Sequence, residues 1–173
     1  MALLKHTRRF FPASLTSLWY WYRFGAKVSP RAEVELSPTV ELGRGTQIGS
    51  FCKIKASGPL VIGANTQIAT GCFLGAGPKG LHIGEDCLMG PNCVVLTGEY
   101  RYDDLAVPLR LQGHISKGTR IGRNVFIGAG TVIVAGSNVG DDVIIAAGSI
   151  VSGTVPAATI VSGNPAKVLF QRR

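Results

Sequence analysis

From Leu36 onward an aliphatic residue returns every six positions. Leu36, Leu42, Ile48 and Ile54 form a first run; the count resumes after a two-residue insertion at Ile62, Ile68 and Leu74, and after a three-residue insertion at Ile83, Met89 and Val95. Beyond a 24-residue excursion, 97–120, it restarts as Ile121, Ile127, Ile133, Val139, Ile145 and Val151, so that sixteen positions share one register. Glycine follows directly at nine of them, and a small or compact residue stands four positions on, as at Thr46, Cys52, Thr66, Cys72, Cys87 and Cys93. A period of six matches neither the 3.6 of a helix nor the 2 of a hairpin meander. It predicts a β-solenoid: short strands with the aliphatic residue inward, glycine at the corner and the small residue packed beside it. Three hexads per turn make about five coils.

The cysteines follow from the register. At three hexads per coil, Cys52, Cys72 and Cys93 stack in one column and Cys87 lies on another face. Solenoid coils lie ~4.8 Å apart, and packing accounts for such a column without a disulfide or a metal. Reduced core thiols fit a cytoplasmic protein. His6, His82 and His114 fall in unrelated places, and no metal site is expected.

Charge and aromatics separate a head from this body. Residues 1–31 carry +6 and the other 142 residues +2, and seven of the thirteen aromatics lie between Phe10 and Phe24. Pro12 opens a helix that Gly25 ends, with Leu15, Leu18, Trp19 and Tyr22 on one apolar stripe. Two readings stand: a cap over the open end of the solenoid, or a helix that lies on a membrane surface through residues 1–27. No nucleic-acid motif accompanies the charge. The run Thr7-Arg8-Arg9-Phe10-Phe11 is similar to a twin-arginine export signal, but Pro12 and Arg23 break the apolar stretch and no cleavage site follows. The head is read as uncleaved and the protein as cytoplasmic, with peripheral contact at the inner face of a membrane on the second reading. The expected division is a head at 1–33, a solenoid at 34–155 with the loop 97–120 extruded from it, and a tail at 156–173.

Three stretches narrow the reading. Val125-Phe126-Ile127-Gly128-Ala129, Ala146-Ala147-Gly148-Ser149-Ile150-Val151 and Gly163-Asn164-Pro165-Ala166-Lys167 resemble the VWIGA, GAGSVV and GNPAK signatures of the hexapeptide-repeat acyltransferases, with Phe126 where tryptophan is common. The resemblance is nearest to those that acetylate sugars and polysaccharides. It implies a left-handed parallel β-helix, a homotrimer and acetyl-CoA as acyl donor, with no metal. It also implies a hydroxyl or amine of a sugar, or of a lipid-linked glycan, as acceptor in surface polysaccharide synthesis. By residue-by-residue resemblance Ala129, Ala147 and Ser152 fall to the pantetheine groove and Lys167 to the nucleotide end of the cofactor.

The loop departs from the family at one position. From Thr97 through Pro108 to Gln112-Gly113 it fits the family's active loop, but Tyr100 occupies the place of the histidine that deprotonates the acceptor. A phenol with a pKa near ~10 is a poor base at neutral pH. Glu99 beside it, or His114 fourteen residues on, are the candidate replacements. An amine acceptor needs no strong base, and a trimeric scaffold or binding protein that has lost the chemistry is the rival reading.

Overall fold

A computed structural model of the chain describes residues 13–173, which fold as a parallel β-helix with one α-helix, α1 (Ala13–Phe24), at its N-terminal end. The run Thr7–Phe11 and the basic residues Lys5, Arg8 and Arg9 lie outside the described residues. Three parallel sheets run along the molecule. Face A stacks Lys27–Val28, Gln47–Ile48, Gln67–Ile68, Leu88–Met89, Phe126–Ile127, Ile144–Ile145 and Thr159–Gly163. Face B runs from Glu33–Val34 to Ile150–Val151, and face C from Val40–Leu42 to Thr154–Val155.

Face A counts seven coils, two more than the register from Leu36 implies. Val28 and Val34, not Leu36, are the inward residues of the first coil; Val34 is buried and Leu36 only packs against the core from one side. Eight residues separate Val34 from Leu42, as eight separate Ile54 from Ile62, and this excess hides the first hexads from a six-residue count. The nine-residue step from Leu74 to Ile83 and the excursion 97–120 leave between the same two faces. Every irregularity of the repeat in the first four coils therefore stacks along one edge, between faces B and C.

The inward column of face B (Val34, Ile54, Leu74, Val95, Ile133, Val151) is at most 1% exposed. The small inward residue does more than fill space. Its hydroxyl or thiol donates to a corner carbonyl of the next coil: Thr46 to Gly63 O at 3.0 Å, Thr66 to Gly84 O at 2.8 Å, Cys52 to Ala69 O at 2.9 Å, Cys72 to Gly90 O and Cys93 to Gly128 O at 3.2 Å. Buried carbonyls that strand pairing leaves free are thereby satisfied. Cys52, Cys72 and Cys93 do share one column, in register through Lys53, Phe73 and Val94, and all four thiols are free. The glycine after the aliphatic residue is dictated by close approach of the next coil: a Cβ on Gly63 would stand 2.4 Å from Glu85 N.

Both ends are covered. Gly25, at φ +65°, ends α1 with its N–H on Trp21 O at 2.8 Å. The stripe expected to face the core, Leu15, Leu18, Trp19 and Tyr22, is exposed; Thr16 and Tyr20 are buried and Phe24 packs against the core. The reason is a backbone requirement. First-coil carbonyls have no preceding coil to accept from, although several accept from the second coil, as Gly25 O does from Gly45 N and Arg31 O from Phe51 N. The Tyr20 hydroxyl donates to another, Glu35 O, at 3.0 Å. At the far end Ala166–Gln171 folds back antiparallel on Thr159–Gly163 and covers the last edge of face A.

Candidate active site

The excursion is an ordered hairpin. Gly98–Tyr100 pairs antiparallel with His114–Ser116, setting Gly98 opposite Ser116, Glu99 opposite Ile115 and Tyr100 opposite His114. Its base is fastened to the solenoid by hydroxyls. Thr97 Oγ1 donates to Gly75 O at 2.8 Å and accepts from Gly77 N at 2.6 Å, and Ser116 Oγ accepts from Lys79 N at 3.0 Å. Its outer part is braced by Gln112, whose amide donates to Asp104 O and Val107 O at 2.7 Å while its carbonyl accepts from Asp104 N at 3.1 Å. The Gln112-Gly113 pair noted in the sequence thus has a structural task, and Gly113 takes φ +80° beside it.

Successive side chains of a strand point to opposite faces, which sorts the candidates. Tyr100 and His114 share one face with their rings in contact, centroids 3.7 Å apart. Glu99 lies on the other, where Lys117 Nζ stands 2.5 Å from its carboxylate. That pairing raises the Lys117 pKa, chiefly through the hydrogen bond to Glu99. The ion pair holds the Glu99 carboxylate on the face away from Tyr100 and His114. The imidazole of His114, by contrast, has no hydrogen bond or ion pair among the described residues and is exposed. Thirteen residues of intervening chain conceal from the sequence that His114, the only histidine of the loop, stands beside Tyr100. Lys117 also escaped notice, because its partner is set by hairpin register.

The cofactor candidates divide between two edges. Ala129 and Ala147 are exposed at the corner between faces A and B, one coil apart, linked by Gly148 N to Ala129 O at 2.8 Å. Lys167 lies two strands further along that edge, opposite Ser162 in the terminal hairpin and exposed. Ser152 lies instead at the corner between faces B and C, between Ile150–Val151 and Thr154–Val155, on the edge that carries the active-loop hairpin. Within one chain, face B separates the two sets. The outward residues change along the helix as well. On face A they pass from Gln47 and Gln67 to Leu88, Phe126, Ile144 and Ile160, and on face B from Glu33 and Lys53 to Phe73, Val94, Val132 and Ile150. Face C carries Glu41 and Val61 and is then polar, with His82, Arg120, Asn138 and Thr154 in line.

The repeat matches two family models: bacterial transferase hexapeptide (six repeats) over residues 118–153, and hexapeptide repeat of succinyl-transferase over residues 80–98. A Mycobacterium tuberculosis protein named as a probable acetyltransferase is 30% identical over 156 residues, 86% of this chain and 49% of its own. This chain's repeat is the hexapeptide repeat of the bacterial transferases. Its β-helix is accordingly left-handed. Among solved structures, a mutant of an N-acyltransferase from Bacillus cereus, in complex with dTDP and coenzyme A, superposes at a TM-score of 0.79 with 19% identity, covering 90% of this chain and 88% of that one. A maltose O-acetyltransferase from Clostridium difficile superposes at 0.62 with 23% identity, covering 99% and 82%; both show the shared fold. The chain spans about half the length of the curated relatives it matches.

Proposed function

We propose that this chain transfers an acetyl group from acetyl-CoA to a hydroxyl or amine of a sugar, with His114 as the base. The pairing of His114 with Tyr100 carries the reading: it sets an imidazole beside the position where the family keeps its own. In a ternary complex His114 Nε2 or Nδ1 takes the acceptor's proton as its oxygen or nitrogen attacks the thioester carbonyl, and coenzyme A thiolate leaves. The Tyr100 ring positions the imidazole. Coenzyme A in the Bacillus cereus complex supports the donor, and the dTDP there and the maltose enzyme support a sugar acceptor.

The division of the candidates between two edges supports a homotrimer, in which the corner with Ala129, Ala147 and Lys167 of one subunit faces the hairpin edge of the next. The apolar outward ladders on faces A and B are the surfaces such packing would cover, and Leu105, Leu109 and Leu111 stand exposed on the loop that would reach across. Placement at the cytoplasmic side of a membrane, in synthesis of a surface glycan, is part of the same proposal; Trp19, Trp21 and Tyr22, exposed on α1, are suited to that contact.

Calorimetric titration with acetyl-CoA, followed by thiol release over a panel of hydroxy and amino sugars, tests the reading. One site per subunit and turnover with any sugar bear it out. No binding at millimolar acetyl-CoA leaves the fold as a scaffold and ends the proposal.

A further inference from the structure

Face C carries a groove of about 470 Å³ beside the hairpin base, lined by Lys79, His82, Lys117, Arg120 and Asn138 together with backbone and apolar atoms. No carboxylate lines it. Two of its cations are uncommitted: among the described residues neither Lys79 nor Arg120 enters an ion pair, while Lys117 is shared with Glu99. Arg120 sits directly between His82 and Asn138 across adjacent coils. We infer that this groove is an anion subsite that holds a phosphate or pyrophosphate group of the acceptor, so that the sugar acetylated is a glycosyl phosphate; the inference rests on the acyltransferase reading for the word acceptor.

Two observations beyond charge carry it. The groove is on the one face whose outward residues are polar from His82 onward, where faces A and B turn apolar. It straddles the hairpin base: on the His114 side Ser116 Oγ accepts from the Lys79 backbone N–H at 3.0 Å, and on the Glu99 side stands Lys117. At ~3.3 Å per residue, Lys117 follows His114 by roughly 10 Å of chain, on the opposite face of the hairpin. The chemistry also fits. Arg120 offers a planar fork that binds two phosphate oxygens at once, and Lys79 a compact charge on a flexible stem. Burial and the neighbouring Arg120 lower the His82 pKa, which favours a neutral imidazole that hydrogen-bonds an anion without adding charge. Each coil contributes one side chain, His82, Arg120 and Asn138 in turn, so that the subsite is a product of the repeat.

The full-length protein titrated with inorganic pyrophosphate at low ionic strength tests this. Saturable binding is expected, weakened roughly 10- to 100-fold by Arg120→Gln and by Lys79→Gln, as for loss of a charge-assisted hydrogen bond. It should fall with added salt and stand unchanged in Lys167→Gln. Arg120 and Lys79 are both exposed, and unchanged melting of the variants certifies their fold. Uridine diphosphate binding more tightly than pyrophosphate assigns the phosphate to a nucleotide carrier, and farnesyl pyrophosphate binding more tightly assigns it to a lipid carrier; either supports the subsite. Absence of binding, or binding indifferent to both groove substitutions, or binding lost in Lys167→Gln instead, overturns it. Acetyl-CoA titrations of the same variants separate the two proposals: a groove that binds pyrophosphate in a protein that ignores acetyl-CoA retains the subsite and sinks the acyltransferase.

Discussion

Replacing His114 by alanine is the sharpest test of the chemistry. Loss of a general base costs about 10²–10⁴ in rate. The structure places this base in the lower half of that range. Its ring is exposed, no carboxylate orients it among the described residues, and it is positioned by contact with Tyr100 at 3.7 Å. A fall of about 10²–10³ in kcat is therefore expected, equivalent to about 2.7–4.1 kcal/mol at ~1.36 kcal/mol per tenfold. KM for acetyl-CoA should change little, because on the proposed mechanism His114 acts on the acceptor's proton, while Ala129, Ala147, Ser152 and Lys167 are the residues proposed to hold the cofactor. Tyr100→Phe keeps the ring and should stay within about threefold of the wild type, and Tyr100→Ala removes the platform and should cost roughly tenfold, in line with a positioning role. Thiol release from acetyl-CoA with the best sugar of the panel reads all three, with activity measured across pH 5–9. Retention of more than a third of the wild-type rate in His114→Ala, with a hundredfold loss in Glu99→Gln, would move the base to the other face of the hairpin and refute the argument from geometry.

Other consequences concern the solenoid itself. A Cβ on Gly128 would lie 2.3 Å from Ala147 N, so Gly128→Ala should lower stability in urea by about 3 kcal/mol or more, on the scale of core overpacking; Leu74→Ala, at a site with 0% exposure, should cost about 2–5 kcal/mol. Phe51 holds φ +61° while 65% exposed, a backbone state costing a side-chain-bearing residue roughly 1–2 kcal/mol. Phe51→Asn should raise the melting temperature, less the ~0.5 kcal/mol of its contact with the Arg31 guanidinium at 5.9 Å. Hydrogen bonding from Cys72 lowers Cys52 and Cys93 to about 7, yet all four thiols are buried. Native protein should therefore give no reaction with a thiol reagent at pH 8, and unfolded protein four equivalents; prompt labelling of the native state would contradict the column.

The repeat was legible because each coil pairs with the next some twenty residues away, and every coil must solve the same packing problem. An inward aliphatic residue, a glycine at the close approach and a small donor toward the next carbonyl recur wherever a coil turns, so periodicity alone determined the solenoid, its cysteine column and the edge from which the active loop departs. Where the chain leaves that period, the sequence lost its register. The inward roles of Val28 and Val34 became visible only once the eight-residue step to Leu42 was seen to recur between the same two faces. The face of α1 that meets the core carries the buried Tyr20, whose hydroxyl donates to Glu35 O, a contact an apolar stripe does not register. The contact of His114 with Tyr100, the withdrawal of Glu99 to Lys117, and the meeting of Lys79, His82 and Arg120 in one groove all depend on which residues the hairpin and the neighbouring coils set opposite one another. Such pairings join residues that no local pattern links, and tertiary structure alone decided them.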